Sequence, residues 1–361
     1  MRYVFAGGGT GGHIFPAIAI ADEVRKADPE AEILFVGAMG RIEEKIVPSN
    51  NYRLETIEIA GIDRSSLIKN LKLPLVFLKA LGRCREILEE FMPDAAVGTG
   101  GFVCGPLIYQ AQRMGIPTLI QEGNAFAGKT VKFLSSRSDK VVINFDETRK
   151  YLRRQDNIVR IGHPVRTSLK RKPREEALKE FGLGTANKTV LIFGGSQGAR
   201  GINNAVTGIA EELTGENVNL IWQCGRNNLE EIQKKVKANE NIRVMEFIEN
   251  MDAAYSASDL AVCRAGITSI MELALMKVPS ILIPLPGSAE NHQEINARTY
   301  SSRGCAEVVL QNDAAGSLGA GIMSLLADDL KRKSMSEAAV KFADPGAAGK
   351  IAEEVISLAV K

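Results

Sequence analysis

A histidine directly after a glycine-rich segment is the strongest candidate for a catalytic residue. His13 follows GGGTGG at residues 7–12, and a helix beginning near Phe15 would point its positive dipole end at the imidazole. This environment favours the neutral ring, and a neutral imidazole beside a phosphate-binding loop can act as a general base toward a hydroxyl nucleophile. A histidine that only caps the loop is the alternative.

Three glycine-rich segments follow apolar, strand-like runs: GGGTGGH at 7–13, GTGGFVCGP at 98–106 and GGSQGAR at 194–200. Loops of this kind leave backbone N–H groups available to a phosphate. The chain is therefore expected to bind a nucleotide or another phosphorylated ligand. The first and third segments each open an alternating strand and helix pattern, which predicts two similar α/β halves.

A second set of polar residues lies in the C-terminal half, where residues 263–286 predict a strand, a glycine turn, a helix and another strand. A helix that begins near Thr268 offers its N–H groups and the hydroxyls of Thr268 and Ser269 to an anion. Glu272 lies on the same face one turn deeper, where its carboxylate can accept hydrogen bonds from two ribose hydroxyls. Both hydroxyl residues are also ordinary helix caps, so ligand binding and capping remain open.

The polar run ENHQEIN at residues 290–296 follows this second strand. Such density suits recognition of a sugar, because sugar hydroxyls need paired donors and acceptors once water is removed. A solvated helix start is the alternative.

Two common nucleotide-handling classes fit the residues poorly. Residues 7–12 match G-x-G-x-x-G, but NAD-binding domains place an acidic residue at the end of the second strand, and here the run 33–36 continues into Gly-Ala-Met. No Asp-x-Asp element that could hold a metal-bound diphosphate occurs in the chain. We therefore expect metal-independent chemistry, in which N–H groups and helix ends take the role of a cation.

Short runs rich in Val, Ile, Leu and Phe alternate with helical stretches in both halves, a pattern typical of parallel sheets covered on both faces. The predicted strands are 3–6, 33–36, 95–97, 118–120 and 140–143 in the first half, and 189–193, 219–223, 242–247, 259–263 and 280–283 in the second. We place the domain boundary near Val165 and interpret the charged run 170–176 as a solvated helix face. An amphipathic helix is predicted after Pro345.

Composition favours a cytoplasmic protein of two domains. The 361 residues are enough for two full cores, and a net charge of +2 argues against wholesale nucleic-acid binding. The five cysteines form no CxxC pair, as expected for reduced, buried thiols. Few apolar residues precede the first glycines, which does not fit a signal peptide, and the uncharged segment 95–112 carries too many glycines for a membrane span.

One segment combines positive charge with apolar residues. Residues 64–85 contain six basic and no acidic side chains, interleaved with leucine, isoleucine, valine and phenylalanine. A basic amphipathic stretch can lie on an anionic membrane surface, and it can equally be a core helix with a cationic outer face. The residues alone leave both interpretations open.

Taken together, these motifs resemble the MurG family, the UDP-N-acetylglucosamine:lipid-linked muramyl-pentapeptide N-acetylglucosaminyltransferases of bacterial peptidoglycan synthesis. The segments GGGTGGHIFPAIAIA, GTGGFVCGP, GGSQGARGIN, CRAGITSIMELALMKVPSILIPLP and NHQEINA occur in the family's order and spacing over nearly the whole chain. The resemblance implies an α/β, GT-B glycosyltransferase fold of two Rossmann-like domains facing a cleft. It also implies an acceptor- and membrane-associating domain at 1–165, a UDP-sugar domain at 166–345, and a C-terminal helix at 346–361 that packs on the first domain.

The same resemblance implies which residues hold the donor nucleotide. Ile248 would meet the uracil and Glu272 the ribose, while Ser196 and Thr268 would lie near the diphosphate. The other implied substrate-binding positions are Gln293 and Asn124 at the N-acetylglucosamine, Thr10, Gly11 and Gly12 from the first domain, and Arg166 at the junction.

Three positions, Gln121, Gly123 and His163, depart from the family's usual pattern. Residues 121–124 read QEGN where the family commonly has HEQN, and His163 precedes Pro-Val-Arg where an asparagine is common. Asn124 and Arg166 are retained, so donor binding is expected. Differences are expected on the acceptor side.

The resemblance implies an inverting transfer in which His13 takes the proton from the C4 hydroxyl of the N-acetylmuramyl acceptor, lipid I, as it attacks the anomeric carbon of UDP-N-acetylglucosamine. The product would be lipid II, a β-1,4-linked disaccharide on a polyprenyl diphosphate, formed without a cofactor or metal. Because the acceptor is a membrane lipid, residues 64–85 are then expected to dock the protein on the cytoplasmic face of the inner membrane. Another GT-B enzyme, such as a UDP-sugar epimerase or a glycolipid synthase, and a non-catalytic nucleotide-sugar binder are the alternatives.

Overall fold

The chain folds into two compact units. A computed structural model describes residues 1–59, 73–195 and 197–360. Unit 1 comprises Met1–Thr167 together with Asp344–Lys361, and unit 2 comprises Ser168–Ala343. The boundary expected near Val165 lies two residues before this division.

Unit 1 is built on a seven-stranded parallel sheet with the strand order β3-β2-β1-β4-β5-β6-β7. Its strands are β1 (Arg2–Ala6), β2 (Glu32–Ala38), β3 (Arg53–Ile57), β4 (Ala95–Gly98), β5 (Thr118–Glu122), β6 (Lys140–Ile143) and β7 (Ile158–Arg160). The helices between them are α1 (Gly11–Ala27), α2 (Glu43–Ser49), α3 (Leu73–Phe91), α4 (Gly101–Arg113) and α5 (Lys129–Leu134), and Asp146–Tyr151 forms a 3-10 turn. The central strands are apolar because helices cover both faces of the sheet.

Unit 2 repeats this architecture with six parallel strands in the order β10-β9-β8-β11-β12-β13. Its strands are β8 (Lys188–Phe193), β9 (Val218–Gln223), β10 (Ile242–Met245), β11 (Leu260–Cys263), β12 (Ser280–Leu282) and β13 (Ala306–Val308). Its helices are α6 (Arg174–Glu180), α7 (Arg200–Thr207), α8 (Ala210–Gly215), α9 (Leu229–Lys235), α10 (Met251–Ala257), α11 (Ile267–Leu275), α12 (His292–Ser301), α13 (Ala314–Ala327) and α14 (Asp329–Val340). All six strands end at the same edge of the sheet because they are parallel. The strand order reverses between β8 and β11, so the loops that follow these two strands are neighbours at the point where α/β sheets commonly bind ligands.

The last helix, α15 (Ala347–Ala359), belongs to unit 1. Its buried face, including Ile351 and Val355, packs with residues of α1 and β1 such as Ile14 and Phe5 in one apolar cluster. The i, i+4 spacing of the two α15 side chains puts them on one stripe. Lys140 on β6 and Glu354 on α15 add an ion pair at 3.1 Å.

The structure contains all the predicted central strands, and the fold class predicted from the sequence is confirmed. The strands β3, β7 and β13 were not predicted, and each lies at the edge of its sheet. Edge strands are half solvated and short, so their sequences RLETI, IVR and AEV lack the apolar run that marks a central strand. The predicted extension of β10 to residue 247 was wrong, since the strand ends at Met245.

One further expectation, the start of the first helix, was wrong, whereas the expectation for the cysteines is confirmed. The helix expected to start near Phe15 begins at Gly11, so His13 lies inside its first turn. All five cysteines are buried and unbonded to one another. In the parts of the chain that the structure describes, no helix combines the length and apolar character needed to cross a membrane.

Candidate functional site

His13 lies in the first turn of α1, and its ring is fixed by the loop that follows β4. Its Nδ1 lies 3.0 Å from the carbonyl oxygen of Thr99, and the Thr99 hydroxyl donates to the His13 carbonyl at 2.7 Å. Because a carbonyl oxygen only accepts, the neutral imidazole carries its proton on Nδ1. Nε2 is then the ring atom able to accept a proton, on a half-buried side chain.

The close approach of the second glycine loop to His13 requires a glycine at position 100. Gly100 has a φ of +99°, and a Cβ built on it would lie 2.7 Å from His13 Nδ1. A larger residue would displace either the loop or the ring. Gly100, the residue directly before α4, therefore allows the loop to lie in close contact with the imidazole.

The first glycine loop is held from inside unit 1 by a carboxylate. Glu43, the first residue of α2, is fully buried, and its Oε1 accepts the Gly9 N–H at 2.6 Å. This N–H is occupied by the protein, contrary to the expectation that the amides of the loop face a phosphate. The N–H groups of Gly11 and Gly12 start α1 and have no acceptor within the helix, so they are the candidates for binding an anion.

The loop after β5 is organised by Glu122, whose carboxylate is buried. Its Oε1 accepts from both the backbone N–H and the side-chain amide of Asn124, each at 2.9 Å. Its Oε2 accepts the Gly128 N–H at 2.9 Å, and the Thr148 hydroxyl donates to the Asn124 carbonyl at the same distance. Glu122 thus sets the orientation of Asn124 at the carboxyl edge of the sheet.

In unit 2, a glutamine closes the loop between β8 and α7. Gln223, the last residue of β9, donates from Nε2 to the Gly195 carbonyl at 2.9 Å and accepts the Ile248 N–H at 2.8 Å. It thereby joins the glycine loop to the loop that follows β10. Ile248 is buried, and its N–H is already bonded within the protein. Ser196 lies outside the described residues.

Glu272 is oriented by a buried tyrosine. The hydroxyl of Tyr255, on α10, donates to Glu272 Oε2 at 2.8 Å, and the Tyr255 ring meets Phe193 at the end of β8 edge to face. Glu272 is half-buried on α11, and Thr268 lies half-buried one turn earlier. The two side chains share one helix face because they are four residues apart.

Gln293 occupies the second position of α12, after two residues with a left-handed backbone. Glu290 and Asn291 have φ values of 54° and 56°, a conformation that costs energy outside glycine and tends to occur at functional sites. The Gln293 Oε1 accepts the Leu285 N–H at 2.9 Å, and its backbone N–H donates to Ser288 Oγ at 3.3 Å. Its NH₂ group is therefore the donor available to a sugar oxygen.

The remaining candidates lie at the surface of unit 1. Thr10, Gly12 and Arg166 are exposed, and Gly11 is half-buried.

No cluster of three or more His, Cys, Asp or Glu side chains within residues 1–59, 73–195 and 197–360 is arranged to hold a metal ion. The candidate polar groups therefore fall into two sets, one at the carboxyl edge of each sheet.

Known proteins share both the domains and the full length of this chain. Residues 3–143 match the N-terminal domain of glycosyltransferase family 28, and residues 189–351 match its C-terminal domain. Proteins of Phocaeicola vulgatus and Bacteroides thetaiotaomicron named "UDP-N-acetylglucosamine--N-acetylmuramyl-(pentapeptide) pyrophosphoryl-undecaprenol N-acetylglucosamine transferase" are 41% and 40% identical to it. These alignments cover 100% and 99% of this chain, and 97% and 98% of the two relatives.

A solved structure agrees with these relatives. The crystal structure of Acinetobacter baumannii MurG matches with a TM-score of 0.78 and 28% sequence identity, over 99% of both chains. The chain belongs to the MurG family. The GT-B fold and the family implied by the sequence motifs are thereby confirmed.

Two of the three departures from the MurG family pattern contact each other. Gln121, in β5, and His163, after β7, are both buried, and Gln121 Nε2 lies 3.3 Å from His163 Nδ1. An amide nitrogen donates, so Nδ1 of His163 accepts and its Nε2 carries the ring proton. A glutamine in the position where the family commonly has histidine is thus accompanied by a histidine as its direct partner.

His163 is expected to make the protein sensitive to acid. Burial lowers the pKa of His163 from 6.5 to about 3, and protonation of the nearby His13 acts in the same direction. Between these values the unfolded chain binds a proton that the folded chain does not, so stability falls as the pH drops below about 6.5. Replacing His163 with glutamine should reduce the stability lost between pH 7 and pH 5 by about 2 kcal/mol. Urea unfolding of both proteins at the two pH values measures this, and equal losses would contradict it.

Sequence reasoning missed the residues that position the candidates. Thr99 and Glu122 lie inside glycine- and polar-rich motifs that the sequence had singled out, so their proximity to His13 and Asn124 had a local signal. Gln223 sits at the end of an ordinary apolar strand. No local pattern distinguishes it from other strand-terminal polar residues.

Proposed function

We propose that the protein transfers N-acetylglucosamine from UDP-N-acetylglucosamine to the C4 hydroxyl of an N-acetylmuramyl-pentapeptide carried on polyprenyl diphosphate. The fixed imidazole of His13 carries the proposal, because its Nδ1 is bonded to the Thr99 carbonyl and Nε2 can take the hydroxyl proton. The names of relatives at 41% and 40% identity support the same donor and acceptor. Attack opposite the departing UDP inverts the anomeric carbon and gives a β-1,4-linked disaccharide.

In this proposal unit 2 binds the donor. Glu272 accepts hydrogen bonds from the ribose hydroxyls while Tyr255 holds its carboxylate in place. The glycine loop at 194–199 and the N–H groups at the start of α11, near Thr268, bind the diphosphate. Ile248 borders the uracil, and the NH₂ group of Gln293 donates to the sugar.

Unit 1 supplies the proton acceptor and binds the muramyl substrate. Asn124, held by Glu122, contributes an amide to the N-acetylglucosamine of the donor, and Arg166 offers an exposed positive charge to an anionic group. The exposed start of α1 contributes the Thr10 hydroxyl and the N–H groups of Gly11 and Gly12.

The departing UDP requires positive or hydrogen-bond-donating groups around its diphosphate. As the glycosidic bond breaks, negative charge grows on the UDP oxygen, and donors that are already in place lower the energy of that state. We assign this role to the loop amides and helix ends of unit 2, with no metal ion and no cofactor.

A transfer assay tests the function. The protein is mixed with UDP-N-acetylglucosamine and a short-chain, water-soluble lipid I analogue in the presence of EDTA. We expect one disaccharide lipid for each UDP released, with a β-1,4 linkage by NMR. Release of UDP with no disaccharide lipid, or conversion of the donor to its epimer, would reject the proposal.

Because the acceptor is a lipid, we also propose that unit 1 docks on the cytoplasmic face of the inner membrane through an apolar surface patch, defined as Leu75, Phe77, Leu78 and Phe133. Leu75 and Phe133 are 65% and 67% exposed. Phe77 and Thr130 both approach Gly105, within 4.0 Å and 3.7 Å of a Cβ built there, which brings α3, α4 and α5 together beneath the patch. Exposed apolar side chains concentrated on one face are typical of an interaction surface.

The positive charges of residues 64–85 contribute less than the sequence indicated. Arg83 is paired with Glu55 and Glu86, and Arg85 with Glu89, so neither arginine is an uncompensated charge for lipid headgroups. Residues 64–72 of this segment lie outside the described residues. The apolar patch is therefore the main source of membrane affinity in the proposal.

Replacing Leu75 and Leu78 together with glutamate should weaken binding to phosphatidylglycerol vesicles by about 10-fold or more, because two apolar anchors are lost and negative charge is added. Transfer to the water-soluble acceptor should stay near the wild-type rate. The matched control is Leu330→Glu, since Leu330 is 82% exposed but belongs to unit 2. Co-sedimentation of wild type, the double variant and Leu330→Glu with the vesicles measures the effect. Equal binding by all three would show that the patch does not bind the membrane.

A further inference from the structure

A buried arginine in unit 2 has no role in the chemistry described so far. Arg264 directly follows β11 and is 9% exposed. Its Nη1 donates to the carbonyl oxygens of Ile283 and Pro284, each at 3.1 Å, and its Nη2 donates to Gln311 Oε1 at 2.6 Å. The guanidinium is thus fixed under the loops that leave β11, β12 and β13.

The charge of this arginine is not neutralised. All three acceptors are uncharged oxygens, and no carboxylate of the described residues lies within ion-pair distance of the guanidinium. Burial lowers the pKa of Arg264, but an arginine stays protonated in proteins. By contrast Arg332, the other deeply buried arginine described in unit 2, is paired with Asp329. Burying a cation without a charged partner lowers the stability of the fold. This cost indicates that the electrostatic field of the guanidinium has a function.

The position of the guanidinium relates it to two helix starts. Arg264 lies two residues before Gly266, the N-cap of α11. Its partner Gln311 lies against Gly201 in the first turn of α7, where a Cβ would fall 2.1 Å from Gln311 Oε1. The cation is therefore connected to the amino ends of both helices, and α7 follows the glycine loop directly. The amino end of a helix carries a partial positive charge, so both helix starts and the guanidinium attract an anion.

We propose that Arg264 is the fixed internal cation of the donor site, which stabilises the diphosphate of the uridine nucleotide through its field and takes the electrostatic role that a divalent ion would fill. This inference rests on the proposed function, since it requires that the diphosphate lie at the glycine loop and α11. Arg264 acts as a positioning residue, because three of its five N–H groups donate to protein oxygens that fix the guanidinium in place. Its positive charge stabilises the diphosphate of the bound donor. It also stabilises the negative charge that grows on UDP as UDP leaves the sugar.

The test compares a charged and an uncharged ligand of the same base. Calorimetric titration of the full chain with UDP and with uridine gives a ratio of the two affinities that cancels general damage to the site. In Arg264→Gln the affinity for UDP should fall by about 10-fold or more, with uridine affinity changed less than about two-fold. Arg264→Lys, which keeps the charge, should retain most of the preference for UDP.

A second variant avoids removing a buried side chain. Gln311→Glu keeps the side-chain shape and the hydrogen bond to Arg264 but places a carboxylate beside the guanidinium. The negative charge compensates the positive one, so this variant too should lower the UDP-to-uridine affinity ratio. Arg332→Gln is the matched control, because its partner Asp329 pairs with Lys188 at the amino end of β8, the opposite edge of the sheet. It should leave the ratio unchanged even if it lowers stability.

The outcomes separate the two proposals. If wild-type protein binds UDP no better than uridine, the diphosphate site of the proposed function fails. If wild-type protein prefers UDP and Arg264→Gln and Gln311→Glu keep that preference, the diphosphate site stands and the role of Arg264 is overturned. Equal losses for UDP and uridine would make Arg264 a structural residue only.

Discussion

Replacing His13 with alanine is expected to reduce turnover by about 10²- to 10⁴-fold, the usual contribution of a general base. The affinity for UDP should stay within about two-fold of wild type, because the residues proposed to bind the uracil, the ribose and the diphosphate lie in unit 2 and His13 lies in unit 1. Steady-state transfer rates with the soluble lipid I analogue, together with calorimetric titration of UDP, measure the two effects separately.

The geometry supplies a control for this experiment. Nδ1 of His13 is used by the Thr99 carbonyl, so the missing function in the alanine variant is a proton acceptor at the position of Nε2. Free imidazole should therefore restore part of the turnover, in proportion to its neutral fraction as the pH is raised. Turnover within a few-fold of wild type in His13→Ala would remove His13 as the base.

Replacing Gly198 with alanine is expected to lower the affinity for UDP by about 100-fold, since a shift of about 1 Å in a positioning loop has effects of this size. Gly198 has a φ of +73°, and a Cβ there would lie 1.9 Å from the carbonyl oxygen of Cys224. The contact is with backbone, which cannot rotate away, so the loop between β8 and α7 must move. Titration with UDP measures the loss.

A glycine elsewhere in unit 2 provides the matched control. Gly316 lies within α13, where an added Cβ would meet open space and the backbone is ordinary helix. Gly316→Ala should bind UDP like wild type and should be stabilised by about 0.5–1 kcal/mol, because alanine favours a helix over glycine. Normal UDP binding by Gly198→Ala would show that this loop is not part of the donor site.

The features predicted from the sequence are those determined by neighbouring residues. The glycine loops, the start of α11 near Thr268 and the apolar central strands each have a local pattern, and the structure contains them within a few residues. The helix start expected near Phe15 was wrong because the adjacent Pro16 favours the first turn of a helix. The helix instead begins at Gly11 and continues through Pro16, which removes one backbone hydrogen bond without ending it.

The contacts that orient the candidate groups join distant parts of the chain, and no pattern in one segment specifies them. Tyr255 meets Glu272 across two helices, and Arg264 meets Gln311 across two strands. Gln121 and His163, two of the three departures from the family pattern, are in contact because β5, β6 and β7 are neighbours in the sheet. The sequence alone does not show that these two departures belong together. Long-range pairs of this kind depend on the packed fold.

Titration of the full chain with UDP in excess EDTA tests the central claim most directly, since that claim is a uridine diphosphate site built from amides, helix ends and a buried cation. We expect saturable binding of one UDP per chain, with the same affinity in EDTA and in magnesium, and no binding of NAD. Absence of UDP binding, or binding that disappears when EDTA is added, would contradict the account.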